Sequence, residues 1–178
     1  ERFLKLFAPD VLCVQELQRP TQEFLAGALN GHDRVRDPFS GWTNESNIYW
    51  GKALFENVEY GAEDVGHLEP QRRMFWARLR LKPSSKTIFV ATAHLTSPRN
   101  RDEGESGLSP RVRQLKRIAN ELTRLVRQAE PAFFMGDMND AWHPQRILGQ
   151  AGFVSCFAAL GIQSPPTFQC YPTANVQP

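Results

Sequence analysis

Apolar and polar positions change period repeatedly along the chain, and each change marks an element. Phe3, Leu4 and Phe7 recur at helical spacing until Ala8-Pro9-Asp10, where the residue before proline avoids helical geometry. Val11-Leu12-Cys13-Val14 is a short unbroken apolar run, the pattern of a buried strand, and it ends in Gln15-Glu16. After Pro20-Thr21, the residues Phe24, Leu25, Ala28 and Leu29 form one face of a helix that Asn30-Gly31 closes. A polar loop through Asp37-Pro38-Phe39-Ser40-Gly41 leads to two short predicted strands, Asn47-Ile48-Tyr49-Trp50, preceded by Glu45, and residues 54–58. Residues 74–81 alternate, with Phe75, Ala77, Leu79 and Leu81 on one face and Arg78 and Arg80 on the other, which predicts a strand with one solvated side. Pro83-Ser84-Ser85-Lys86 reads as a hairpin-like turn into the β-branched run 87–93, a central strand that stops at His94. Residues 97–110 are polar and predict a long loop. Val112, Leu115, Ile118, Ala119, Leu122, Leu125 and Val126 then mark the clearest amphipathic helix, which Pro131 ends. Ile147-Leu148 and residues 153–160 predict further helical turns broken by Gly149, Gly152 and Gly161, ahead of a proline-rich tail.

Between these last helices lies Phe133-Phe134-Met135-Gly136-Asp137-Met138-Asn139-Asp140. Three apolar residues run into a glycine and then into two polar side chains two positions apart, so an extended chain presents Asp137 and Asn139 on one side and Met138 on the other. Gly136 permits a turn or a close approach of the backbone to a ligand. Alone, Gly-Asp-X-Asn is most often an ordinary turn. Here strands alternate with helices, and three strands deliver Glu16, His94 and Asp137 with Asn139 at their ends, the usual raw material of a site on an α/β scaffold. Two carboxylates with an asparagine and no Cys/His cluster suit a hard cation such as Mg²⁺ that is shared with a phosphate. The chemistry that fits is metal-assisted attack of water on phosphorus, with a histidine stabilising the developing charge.

The bulk numbers fit one domain over residues 1–178, with 41% hydrophobic and 22% charged residues, and argue against disorder or a membrane span. The opening residues do not resemble a signal peptide. A formal charge of +2 announces no field for nucleic acid and excludes none, so any basic groove is local. Cys13, Cys156 and Cys170 are widely spaced and odd in number, which suits reduced thiols and weakly favours an intracellular compartment. His32, His67 and His143 belong to no pattern and read as structural or exposed, and Arg72-Arg73 and residues 99–101 read as solvent-facing charge that could also grip phosphate.

Pro9-Asp10-Val11-Leu12-Cys13-Val14-Gln15-Glu16, Thr92-Ala93-His94-Leu95 and Gly136-Asp137-Met138-Asn139, in that order, resemble the endonuclease/exonuclease/phosphatase superfamily of Mg²⁺-dependent phosphohydrolases. Phe75-Trp76-Ala77-Arg78-Leu79, Arg113-Gln114 and Pro166-Thr167-Phe168 fall where the family places similar segments. The resemblance implies a DNase I-like four-layer α/β/β/α sandwich of two mixed β-sheets flanked by helices. It makes Glu16 the metal-binding carboxylate, for Mg²⁺ or Mn²⁺. The resemblance likewise makes Asp137 the group that orients or deprotonates the attacking water and Asn139 its companion in the phosphate pocket, and it implies that His94 contacts the scissile phosphate. Glu45 resembles, loosely, the acid that hydrogen-bonds this histidine in some members. The family's opening Asn-bearing strand and closing Asp-His pair have no counterpart here, so the expectation is an incomplete domain, inactive as it stands, of a hydrolase acting on a phosphoester. Nucleic acid or nucleotide, inositol phosphate and phospholipid headgroup all remain open as substrates. The alternative is a binding or scaffold module that kept the fold and lost catalysis; neither oligomeric state nor substrate is legible.

Overall fold

The computed structural model describes residues 2–164 and Thr167. Its order is α1 (Arg2–Phe7), β1 (Val11–Gln15), α2 (Arg19–Ala28), β2 (His32–Arg34), α3 (Gly41–Asn44), β3 (Ser46–Gly51), β4 (Phe55–Glu63), β5 (Met74–Leu81), β6 (Thr87–His94), α4 (Arg101–Ser106), α5 (Pro110–Leu125), β7 (Ala132–Asp137), α6 (His143–Gln150) and α7 (Cys156–Ala159). One sheet runs β1-β3-β2 with antiparallel pairs, and the other runs β4-β5-β6-β7, antiparallel except for the parallel β6–β7 pair. A parallel pair needs a long crossover, which α4 and α5 supply.

Three apolar clusters lie between four layers. Leu17, Leu25, Leu29 and Tyr49, with Leu4, Leu12 and Val14, join α1 and α2 to the outer face of the first sheet. Ile48 and Trp50 of that sheet meet Phe75, Ala77, Leu79 and Val90 of the second, so the sheets pack face to face. Phe89, Ala91 and Trp76 meet Leu115, Ile118, Ala119, Leu122 and Ile147, which cover the second sheet with α5 and α6. The expected α/β/β/α sandwich is therefore what the chain forms. The helical face of α5 buries Leu115, Ile118, Ala119 and Leu122 at the predicted three- and four-residue steps.

Several expectations change. The 97–110 loop contains α4, the polar stretch before β3 contains β2 and α3, and of residues 153–160 only Cys156–Ala159 are helical. The segment Pro166-Thr167-Phe168 lies, except for Thr167, outside the described residues. The solvated face expected for β5 is also absent at Arg78. Its side chain is 3% exposed, because α5 roofs that face and the guanidinium finds a complete set of acceptors. Nε donates to Glu130 Oε1 at 2.8 Å, Nη2 to the Leu125 carbonyl at 2.7 Å, and Nη1 to Glu59. Thr87 Oγ1 donates to the same Glu130 oxygen at 2.7 Å. Alternation alone cannot distinguish a wet arginine from one buried in such a fork.

Burial works to raise the Glu130 carboxyl, but hydrogen bonds from Arg78, Thr87 and the Arg127 N–H outweigh it and hold the group below its ordinary 4.5. A depressed folded-state pKa means that this stabilisation is complete above about pH 4.5 and is lost as pH falls through the lowered folded value. Glu130→Ala leaves the buried Arg78 with only Glu59 and the Leu125 carbonyl as acceptors and is expected to cost about 3 kcal/mol in urea unfolding at pH 7. That cost should shrink as the pH falls through the carboxyl's lowered folded value, and a variant as stable as the parent at neutral pH would contradict the assignment.

Candidate functional site

β6 and β7 are paired in parallel register with His94 opposite Asp137, Ala93 opposite Gly136 and Thr92 opposite Met135, so both strands end side by side. Their approach at Ala93 and Gly136 leaves no room for a side chain. A Cβ built on Gly136 would lie 2.1 Å from the Ala93 carbonyl oxygen, and Gly136 has φ 153°, in the half of conformational space that favours glycine. Past that point the chains remain zipped together: Leu95 N–H donates to the Asp137 carbonyl at 2.9 Å, and Asn139 Nδ2 donates to the Leu95 carbonyl at 2.9 Å.

Asn139 adopts the left-handed conformation, φ 47°, which asparagine tolerates, and its N–H donates to Asp137 Oδ1 at 2.9 Å. Asp137 is thus fixed through one oxygen while its side chain stays 52% exposed, and Oδ2 stands 3.9 Å from His94 Nε2. The His94 side chain is 7% exposed. The structure therefore brings together three of the expected residues, His94, Asp137 and Asn139, on two adjoining strand ends.

Glu16 arrives from the first sheet. Its backbone is left-handed, φ 55°, a conformation that costs a non-glycine residue about 1 kcal/mol. The turn is closed by Gln18 N–H donating to the Glu16 carbonyl at 2.7 Å, and it throws the carboxylate outward while Leu17 enters the core. β1 is registered against the second sheet by Gln15, whose Nε2 donates to Thr92 Oγ1 at 2.7 Å, two residues before His94. Glu16 accordingly emerges beside the strand that carries the histidine.

Glu45 does not partner His94 as expected. It sits at the end of α3 and pairs with Arg72 Nε at 3.1 Å, both side chains being largely buried. Arg72, read from sequence as a solvated charge, is its partner instead, a guanidinium that donates a charge-assisted hydrogen bond to the carboxylate.

Sequence reasoning missed two further groups. Gln114 is fully buried, accepts the Thr96 N–H at 3.2 Å and donates to Thr96 Oγ1 at 2.7 Å, which anchors the end of β6 to α5; its second contact is His67 Nδ1 at 3.2 Å. Arg111 donates to the Thr96 carbonyl at 3.1 Å, forks onto Glu103 at 2.7 and 2.6 Å, and lies 3.4 Å from Asp140 Oδ2. Asp140 also accepts the Trp142 and His143 N–H groups and sits 2.6 Å from His143 Nδ1. Burial opposes ionisation of Asp140, but these donors prevail and pull it down to about 2. The lone Arg113-Gln114 match hinted at this corner; nothing signalled His67 or Asp140. Cys13 is a free thiol pushed up to about 12 by burial, with a smaller opposing contribution from Thr92, and Cys156 is free as well. Cys170 lies outside the described residues.

An α/β/β/α sandwich carrying a carboxylate, an asparagine and a histidine on adjacent strand ends defines a class, and sequence comparison gives it a name. The family model described as Endonuclease/Exonuclease/phosphatase family matches residues 1–174, and the chain belongs to that family. Its members are phosphoester hydrolases. Among solved structures, TDP2 of D. rerio in complex with a single-strand DNA product is similar with TM-score 0.66 and 18% identity, over 90% of this chain and 60% of that one. A mannosyl-6-phosphatase of Bacteroides thetaiotaomicron gives TM-score 0.67 and 16% identity over 84% and 59% of the two chains. The human Nocturnin catalytic domain with bound sulfate gives 0.62 and 17% over 84% and 58%. At such identities the likeness is one of fold, and the chain spans about three-fifths of the length of these structures. None of the curated proteins is significantly similar to it in sequence.

The contact at Gly136 yields a direct prediction. Gly136→Ala should destabilise the protein by about 2 to 3 kcal/mol, since the new methyl meets rigid backbone. Chemical denaturation measures this, and a neutral result would mean that β6 and β7 do not approach as described.

Proposed function

We propose that the complete protein hydrolyses a phosphoester by attack of water on phosphorus, with a divalent cation held at this site. The observation that carries the reading is the pairing of His94 with Asp137 at the ends of parallel strands, with Asp137 Oδ2 3.9 Å from His94 Nε2.

The donor set fits a hard cation. Glu16 and Asp137 offer exposed carboxylates, and Asn139 spends its amide N–H on Leu95, which leaves its carbonyl oxygen available. Among the described residues no group of three or more His, Cys, Asp and Glu gathers as an all-protein cage. That suits Mg²⁺ or Mn²⁺, which commonly take one or two carboxylates and complete their shell with water and substrate phosphate. Glu16 is the proposed metal-binding residue. When bound, such an ion neutralises charge on the phosphate oxygens.

The remaining work falls to the chain's own groups. Asp137, held at Oδ1 by the Asn139 N–H, turns Oδ2 toward the attacking water, orients it and accepts its proton. His94, buried and adjacent, donates to a phosphate oxygen as negative charge builds there. Asn139, locked to the Leu95 carbonyl, holds the floor of the pocket in a fixed shape. Glu45 is bound to Arg72 and plays a structural part.

The substrate is proposed at the level of the phosphoester. One structural neighbour was solved with a DNA product and another is a sugar phosphatase, so the shared fold accommodates very different leaving groups. Nucleic acid, nucleotide, inositol phosphate and phospholipid headgroup are separated by experiment: nucleic acid binding should weaken steeply with added salt, and a small ester should not. No helix among the described residues is long and apolar enough to cross a membrane.

The full-length protein should cleave an activated phosphodiester only with Mg²⁺ or Mn²⁺ present, and Asp137→Asn should lower turnover by about 100-fold or more. Undiminished turnover in that variant would overturn the assignment of Asp137. Tight binding of a phosphoester with no metal-dependent turnover would instead identify a binding module that kept the fold.

A further inference from the structure

His67 stands outside the machinery described so far, yet its surroundings fix its protonation. It follows β4 across a tight turn: Val65 is fully buried in the core, Gly66 is left-handed with φ 82°, and Gly66 N–H donates to Asp64 Oδ1 at 2.8 Å. This delivers the ring to Gln114. The amide of Gln114 has only one workable orientation, because Thr96 N–H must donate to its oxygen, 3.2 Å away. Its nitrogen therefore faces both Thr96 Oγ1 at 2.7 Å and His67 Nδ1 at 3.2 Å, and donates to each. His67 Nδ1 is consequently an acceptor. Burial, followed by the nearby Arg72 charge, pushes His67 down to about 4, with His94 contributing in the same direction, so the ring is neutral at pH 7. A neutral imidazole that accepts at Nδ1 carries its proton at Nε2.

That Nε2–H is buried and finds no acceptor, while His94, two residues before the Thr96 that Gln114 also holds, has a buried Nδ1 that likewise finds no partner. Unsatisfied buried polar atoms are uncommon and costly, and here a donor and a potential acceptor are both tied to the one Gln114–Thr96 contact. The carboxylate that would otherwise hold His94, Glu45, is occupied by Arg72.

We infer that His67 is a positioning residue for His94, donating its Nε2–H to His94 Nδ1 across one bridging water. The inference rests on the proposed role of His94. An acceptor role at Nδ1 places the His94 proton on Nε2, the nitrogen that faces Asp137 3.9 Å away and hence the pocket. His67 thereby selects the tautomer that can donate to a phosphate oxygen, whereas a carboxylate accepting from Nδ1–H would select the opposite tautomer of a neutral ring.

The test reads the tautomer and needs no catalysis. Full-length protein labelled with ¹⁵N-histidine is studied near neutral pH by long-range ¹H–¹⁵N correlation. His94 in the parent should be almost entirely the Nε2–H form. His67→Phe should release it to the mixture of an unconstrained imidazole, while the ring-shifted methyl signals of Leu79 and Ile118 report an intact core. His67→Gln, whose amide nitrogen falls near the position of Nε2, should restore the Nε2–H form, and His67→Asn, whose amide falls near Nδ1, should not. If the Phe variant does not fold, the Gln and Asn pair decides. An Nδ1–H tautomer in the parent, or the same His94 tautomer in all variants, would overturn the inference. Absence of metal-dependent turnover would count against the proposed function and leave this tautomer result unaffected.

Discussion

The close approach of β6 and β7 at their C-terminal ends is the constraint on which the site depends. Parallel pairing places His94 opposite Asp137, and the backbone contact between Gly136 and Ala93 leaves space for hydrogen only. Any larger residue at 136 would part the strands and carry the carboxylate away from the imidazole. The consequence extends beyond the strands, because Leu95 N–H and the Leu95 carbonyl hold the Asp137 carbonyl and the Asn139 amide in turn. Two loops that would otherwise move independently are held as one surface.

Around that surface the chain spends its buried polar groups on holding strand ends in place. Gln15 joins the two sheets through Thr92, Gln114 ties Thr96 to α5, and Arg111 connects Thr96, Glu103 and Asp140. Each group touches a residue within two positions of His94 or within one of Asn139. Buried networks of this kind are costly when half satisfied, and they rigidify when complete, which is what a preorganised electrostatic site requires. The left-handed backbones of Glu16 and Asn139 fall just past the ends of β1 and β7, where the proposed site would hold them in place.

Much of this was legible from sequence, for identifiable reasons. The helix of Leu115, Ile118, Ala119 and Leu122 and the strands ending at Glu16, His94 and Asp137 announce themselves because periodicity and abrupt polarity are one-dimensional signals. Glycine at 136 pointed to a turn or an approach to a ligand, and the backbone it approaches is that of Ala93 on the neighbouring strand. Partner choice was not legible. Arg78 looked solvated because alternation does not record that Glu130, fifty-two residues later, folds over the same face. Glu45 was matched to a histidine's companion by family resemblance alone, which does not record that Arg72 folds against it. His67 carried no signal, since its chemistry comes from the orientation of a glutamine amide on another element. The short β2 and α3 were missed because three- and four-residue elements are too brief to show a period.

The central claim is that Glu16, from one sheet, and Asp137 with Asn139, from the other, face a single cation site. Paramagnetic broadening by Mn²⁺ in backbone amide spectra of the full-length protein tests it most directly. At substoichiometric Mn²⁺ the signals of Glu16, Leu17, Asp137 and Asn139 should broaden together and recover together when Mg²⁺ is added in excess, while those of β4 stay sharp. Broadening that spares either strand end, or that appears elsewhere and not at these residues, would contradict the account.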